Sequence, residues 1–317
     1  MTDTQNEVFK SPVNKIRLFE HGAPGSQNLK LTRKYYTEDM PDGRVKHIVQ
    51  NITDPDIVPY IPDGIGNSTD RQRIPAVLII PGGAFRRLVY NFEGEDVAKW
   101  LNSMGIAAFV LECRLPSDEH DNAEDVPLID AMRAMRVIRG RAQEFSIDEA
   151  KIGVMGFSAG GFMAALLSTA YESDVYADYK YKDEYDKLSA RPDFAVCSYP
   201  VISIDDCIEA GKRYMSEEQV LERISDSKAK ILHKYNPDKL VRPDMPPVFI
   251  CETDDDRTTL SENSVGFYMA ARKAGVSAEL HIFRTGGHGY GCGDDFAQTG
   301  EWKVLFTKWI KSIGIIS

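Results

Sequence analysis

Ser158 stands between two glycines in Gly156-Phe-Ser-Ala-Gly160, directly after the apolar run Lys151-Ile-Gly-Val-Met and directly before Gly161-Phe-Met-Ala-Ala-Leu-Leu. Lifting a serine hydroxyl clear of a sheet takes a sharp turn between strand and helix, which crowds the positions two before and two after it. Gly156 and Gly160 relieve that crowding. The segment after the serine has helical composition, so its first free N–H groups would favour negative charge on a reacting oxygen, and the N–H of Ala159 is one natural donor. The chemistry this points to is nucleophilic attack by Ser158.

A serine hydroxyl is a weak nucleophile at neutral pH; it needs a histidine to take its proton and a carboxylate to hold that histidine. Of six histidines, His281 and His288 follow the acidic run Thr253-Asp-Asp-Asp-Arg257. His281 lies inside the strand-like Ala278 to Phe283, committed to one sheet face. His288 lies in Gly286-Gly-His-Gly-Tyr-Gly291, free to reach Ser158. Asp254, Asp255 and Asp256 are adjacent, and all three buried near one imidazole would repel. One faces the histidine and the others meet solvent or Arg257; spacing from the strand end does not choose among them. The loop Pro81-Gly-Gly-Ala-Phe85 also follows a strand, and its small residues let backbone N–H groups approach a substrate oxygen. Gly83 and Ala84 would then complete an oxyanion hole with Ala159. Arg86 and Arg87 suit either solvent or an acidic group on the substrate.

These residues need a scaffold, and the pattern of the chain supplies one. Lys30 to Tyr36 and Val45 to Ile52 read as an antiparallel hairpin leading a sheet, with Pro41-Asp-Gly as its turn. After the polar 64–73, strands alternate with helices of ten or more residues, which implies an α/β fold with a parallel sheet covered on both faces. Strands are expected at Ala76 to Ile80, Ile106 to Leu111, Phe194 to Tyr199, Val248 to Glu252 and Ala278 to Phe283. Helices are expected at Glu93 to Met104, Pro127 to Phe145 and a C-terminal segment with Trp302, Leu305, Phe306, Trp309 and Ile310 on one side. The charged 204–240 interrupts the alternation and reads as a cap or lid insertion over the carboxyl ends of the strands. His120, in an acidic loop, reads as solvated. The tyrosine-rich 171–191 suits an exposed loop or a contact in a homo-oligomer, with stacking on a sugar as a further use.

The chain has 317 residues, a net charge of −10 and a pI near 5.2; since α/β folds of this length form one large core, a single domain over 1–317 is expected. The acidic balance argues against nucleic acid or an anionic membrane as partner. The longest apolar runs are of strand length, and Met1 to Glu7 has neither the basic start nor the apolar run of a secretory signal, so a cytoplasmic location is expected. Five cysteines (Cys113, Cys197, Cys207, Cys251, Cys292) show no metal-type spacing and read as reduced thiols. Neither a metal nor a cofactor is expected.

From Thr53 onward the chain resembles the α/β-hydrolase family of acetyl-xylan esterase-like and feruloyl esterase-like carboxylesterases, near the prolyl oligopeptidase branch. The resemblance rests on Pro81-Gly-Gly-Ala-Phe, Glu93-Gly94 with Ala98-Lys-Trp-Leu101, Gly105-Ile-Ala-Ala-Phe-Val-Leu111, Arg114-Leu-Pro116, Gly156-Phe-Ser-Ala-Gly-Gly161, Ala190-Arg-Pro-Asp-Phe-Ala-Val196, Tyr199-Pro-Val-Ile-Ser203 and Gly286-Gly-His-Gly-Tyr-Gly291. It implies a triad of Ser158, His288 and Asp255, the acid being the first of two aspartates after a Thr-x pair, with donors at Gly83, Ala84 and Ala159. Phe85, Arg86, Phe162 and Tyr290 are the expected substrate contacts. The chain departs from the family pattern at Ala84-Phe85, at Phe162 and at Glu252-Thr-Asp-Asp-Asp256. A backbone donor survives at Ala84, since any residue but proline keeps its N–H. The implied activity is hydrolysis of acetyl or other small acyl esters of a carbohydrate or similar alcohol. The rivals are a peptidase of the prolyl oligopeptidase type and a catalytically silent hydrolase fold used for binding.

Overall fold

The computed structural model describes residues 9–65, 73–216, 218–220, 229–293 and 298–317. In chain order the strands are β1 (Ile16–Arg17), β2 (Lys34–Asp39), β3 (Val45–Gln50), β4 (Asp56–Tyr60), β5 (Ile74–Ile80), β6 (Leu88–Val89), β7 (Ala107–Glu112), β8 (Ile147–Phe157), β9 (Ala195–Ser198), β10 (Val248–Thr253) and β11 (Ala278–Phe283). The helices are α1 (Asp96–Ser103), α2 (Val126–Gly140), α3 (Ala159–Ala170), α4 (Ile204–Tyr214), α5 (Ala229–Lys234), α6 (Ser261–Lys273) and α7 (Trp302–Ser312).

Eight strands form the main sheet in the order β1-β4-β7-β5-β8-β9-β10-β11. The six from β7 to β11 pair in parallel, while β4 and β1 extend one edge antiparallel. β7, β9 and β10 are buried at every position, and β5 at all but its first. Burial on both faces is why these strands read as unbroken apolar runs rather than alternating ones. The predicted strands and helices of this region are present with shifts of a few residues at their ends. Trp302, Phe306 and Trp309 on α7 meet Phe157, Phe249 and Trp100, so the C-terminal helix closes the core through aromatic edge contacts.

The N-terminal hairpin departs from expectation. β2 and β3 do pair antiparallel, but they join β6 in a separate three-stranded sheet instead of leading the main one. The physical reason is that β3 finds its second partner in the two-residue Leu88–Val89, immediately beyond the loop that follows β5. The described part of 204–240 is tied to the body of the fold by side-chain bonds. α5 is tied by Lys234 and Tyr235 to Asp125 before α2, and α4 by Arg213 to Glu262 on α6. Part of that segment lies outside the described residues.

Two loops use polar side chains inward. His120 is buried, not solvated: Ser26 Oγ lies 3.0 Å from its Nδ1, and burial followed by the charge of Arg114 pushes its pKa down to about 4. Arg114 itself is fully buried, bonded through Nη2 and Nε to Asp130 at 2.7 and 3.0 Å. In the tyrosine-rich stretch, the Tyr176 hydroxyl donates to Asp186 and the Tyr179 hydroxyl to the Gly22 carbonyl; of this set Tyr181 is the exposed ring. Among the described residues no helix is long and apolar enough to cross a membrane.

Candidate active site

Ser158 sits between the end of β8 and the start of α3 with φ 54° and ψ −118°. That conformation is costly for a residue with a Cβ and persists only where its surroundings impose it. The flanking glycines explain how. A Cβ on Gly156 would stand 1.9 Å from the Gly160 carbonyl oxygen, and one on Gly160 would stand 1.9 Å from the carbonyl oxygen of Ile80. The turn is thus threaded between its own backbone and the end of β5, and only hydrogens fit.

His288, in the loop after β11, bridges two partners. Its Nε2 lies 2.8 Å from Ser158 Oγ and its Nδ1 lies 2.6 Å from Asp256 Oδ2. The carboxylate on the imidazole is therefore Asp256, and the expectation of Asp255 is corrected. After β10 the chain exposes Asp254 and Asp255 and turns inward at Asp256, which is 2% exposed. There Asp256 Oδ1 accepts the N–H groups of Thr258 and Thr259 at 2.6 and 3.0 Å, and Thr259 Oγ1 lies 3.0 Å from Oδ2 and 3.2 Å from His288 Nδ1. Burial pushes the Asp256 carboxyl up, but the His288 bond and charge and these backbone donors outweigh it and hold the pKa below the ordinary value. Asp255 serves the same loop differently. Its Oδ1 accepts the N–H groups of Gly286 and Gly287 at 2.9 and 2.8 Å, anchoring the backbone that carries His288.

Ser158 and His288 open into a cleft of about 250 Å³. Gly83, Ala84, Arg87, Phe92, Glu93, Thr258 and Gly289 line it, together with Met40, Arg44 and Lys46 of the β2–β3 hairpin. Gly83, Ala84 and Phe85 all have positive φ (138°, 57° and 59°), so three consecutive peptides turn sharply above the serine. Behind that turn a second, apolar space of about 10 Å³ is bounded by Gly82, Phe85, Leu115, Ala159 and Met163.

The four expected substrate contacts fare unevenly. Phe162 is fully buried and packs edge-on against Phe85 at 5.6 Å, so it shapes the core under the turn and cannot touch a ligand in the cleft. Tyr290 is also buried, its ring 4.5 Å from that of Tyr199, and it borders a neighbouring groove instead of the cleft. Phe85 bounds the small apolar space. Arg86 is exposed, and it is Arg87, paired with Glu38, that lines the cleft.

Sequence reasoning gave no role to Glu93 and Tyr199 beyond their place in family-like motifs. Glu93 lies in a π-helical turn, Asn91–Glu95, and its carboxylate is buried against the cleft. Gly82 N–H donates to its Oε2 at 2.8 Å and the Tyr199 hydroxyl donates to its Oε1 at 2.9 Å. Tyr199, at the end of β9, meets His288 edge-on at 5.0 Å. The available signal was position: Glu93 is the first residue of an expected helix and Tyr199 the last of an expected strand, and both stand at the end of the sheet where Ser158 and His288 lie.

The chain is similar to an acetylxylan esterase of Xylanibacter ruminicola, 31% identical over 240 residues, which are 75% of this chain and 45% of the relative. It is 31% identical over 227 residues to endo-1,4-beta-xylanase B of Butyrivibrio fibrisolvens, covering 71% of this chain and 34% of that protein. The chain thus spans less than half the length of either relative. Among solved structures, an acetyl ester-xyloside bifunctional hydrolase from Caldicellulosiruptor lactoaceticus superposes with a TM-score of 0.70 at 34% identity, over 96% of this chain and 97% of the other. The fold that carries Ser158, His288 and Asp256 is therefore the α/β-hydrolase fold. Residues 65–270 match the BD-FAE family, and with most of the sheet and the serine turn inside that match, the chain belongs to the BD-FAE family.

Proposed function

We propose that the chain is a serine carboxylesterase that removes small acyl groups, acetyl first among them, from carbohydrate alcohols. The observation that carries this reading is the unbroken relay from Ser158 Oγ through His288 to Asp256, with steps of 2.8 and 2.6 Å. Ser158 attacks the ester carbonyl while His288 Nε2 takes the hydroxyl proton. The oxyanion that forms is met by the N–H groups of Gly83, Ala84 and Ala159. His288 then gives its proton to the departing alcohol, and a water repeats the sequence on the acyl-enzyme to release the acid. Asp256 holds the imidazole in the tautomer that leaves Nε2 free to accept. The small apolar space beside Gly82 and Ala159, about 10 Å³ or roughly one water in size, suits a methyl group better than a longer chain. The acetylated-xylan activity of the Xylanibacter relative supports the carbohydrate side of the proposal.

The test is hydrolysis of p-nitrophenyl esters from acetate to octanoate by the native protein and by Ser158→Ala, both confirmed folded. The expected outcome is fastest turnover of acetate by the native protein and a loss of about a million-fold in the variant. Acetylated xylo-oligosaccharides come next. Faster cleavage of aminoacyl amides than of esters would replace the esterase reading with a peptidase one.

A further inference from the structure

We infer that Glu93 is a positioning residue for the proposed reaction: its carboxylate ties the oxyanion turn to the histidine loop and supplies a second negative charge to the imidazolium of His288. The inference rests on the esterase reading above. Asp256 bonds to His288 Nδ1, and Glu93 stands in the wall of the cleft into which Ser158 and His288 open. Glu93 Oε2 accepts from Gly82 N–H at 2.8 Å, the peptide just before the turn Gly83–Ala84. Its Oε1 accepts from the Tyr199 hydroxyl at 2.9 Å, whose oxygen in turn accepts Gly291 N–H at 3.0 Å, three residues past His288. One carboxylate therefore fixes both the loop that offers oxyanion donors and the loop that offers the base.

The packing around Gly82 is tight. A Cβ on Gly82 would stand 2.7 Å from Glu93 Oε2 and 2.9 Å from Ser158 Cβ, so carboxylate and nucleophile press on the same glycine. The π-helical turn Asn91–Glu95 carries Glu93, and such turns recur at functional sites. Tyr199, which receives the Gly291 N–H, is itself held at a positive φ of 36° with its N–H on the Cys251 carbonyl at 2.7 Å.

The groups acting most strongly on the Glu93 charge are His288, the Tyr199 hydroxyl, the Gly82 N–H and Lys46 of the cleft lining. Burial raises the Glu93 pKa above the ordinary 4.5, and the charge of His288, the Tyr199 and Gly82 bonds and Lys46 reduce that rise without cancelling it. A charge that His288 stabilises must stabilise His288 in return. When His288 takes the Ser158 proton, the imidazolium has Asp256 in contact and Glu93 in the wall of the same cleft, where low dielectric strengthens their attraction.

Glu93→Gln keeps the shape and one acceptor while removing the charge. The expected result with p-nitrophenyl acetate is a kcat lower by about tenfold or more with KM within about threefold. The acid limb of the kcat/KM profile moves down by about half a pH unit, because a lost negative charge makes the protonated imidazole less favourable. A merely structural Glu93 would lower the rate without moving that limb. An unmoved limb, or a kcat within about twofold of native, overturns the inference. If thermal unfolding shows that Glu93→Gln does not fold, Tyr199→Phe breaks the same link. Its kcat is then expected to fall about fivefold or more, and a native kcat would overturn the coupling. A fluorophosphonate probe separates the two proposals. Its rate of labelling at Ser158, followed against pH in native and Glu93→Gln protein, reads the shift even if no tested ester is hydrolysed, whereas lack of any Ser158-dependent ester turnover counts only against the esterase reading.

Discussion

Two adjacent aspartates divide the work on one histidine loop, and substitution separates their jobs. Asp256→Asn keeps the hydrogen-bonding outline but favours the wrong imidazole tautomer, so kcat for p-nitrophenyl acetate is expected to fall by about 10,000-fold. Asp255→Asn retains an oxygen that can accept from Gly286 and Gly287, and it should leave kcat within about tenfold and stability within about 1 kcal/mol of native. The opposite ranking, measured by steady-state kinetics and thermal unfolding, would restore Asp255 as the triad acid. Ser158 and His288 were legible in the sequence because each is marked by glycines that a strained turn or a free loop requires. The acid was not. Three consecutive aspartates have equal chemistry, and what selects Asp256 is the inward turn that brings Thr258 and Thr259 N–H onto its carboxylate, a property of backbone direction that spacing does not encode.

The strand-turn-helix around Ser158 is the element with least tolerance. Gly156→Ala and Gly160→Ala each place a methyl 1.9 Å from a carbonyl oxygen, and since the contact atoms are backbone, neither can yield cheaply. Each variant is expected to lose more than about 4 kcal/mol or to fail to accumulate as folded protein, checked by circular dichroism and denaturant titration. A second sensitive element pair is the end of β7 with α2, joined by Arg114 and Asp130. Both are fully buried, so Asp130→Ala would strand an uncompensated guanidinium and is expected to cost about 3–5 kcal/mol in the same titration. The parallel strands were legible because burial on both faces writes unbroken apolar runs. The small second sheet was not, because β6 is two residues long and no periodicity can be read from two residues. His120 was misjudged for a related reason: an acidic neighbourhood in sequence is not its neighbourhood in space, where Ser26 and Arg114 surround it.

Across the whole molecule, stability against pH should carry two opposite signatures from one corner of the site. Asp256 has a lowered pKa, so its contribution is present above the ordinary 3.8 and is lost as pH falls through its lower folded value. Glu252 has the reverse sign: burial, then the charge of Asp256, pushes it well above the ordinary 4.5. The folded chain then holds a proton that the unfolded chain releases, and stability declines by up to about 1.4 kcal/mol per unit as pH rises from there toward the folded value. Glu252→Gln removes that proton exchange while keeping an acceptor for Thr253 N–H. Its unfolding midpoint should therefore fall less steeply than that of the native protein as pH rises above the ordinary 4.5. Equal slopes would place Glu252 as an ionised group at neutral pH. The arrangement of the two sheets has a different kind of consequence. The relay stands on the main sheet, while Met40, Arg44 and Lys46 reach the cleft from a hairpin in the other sheet. The cleft is thus walled by two separately built pieces, and exchanging or diversifying Met40 and Arg44 is expected to change which esters are turned over while Ser158 keeps its rate of fluorophosphonate labelling.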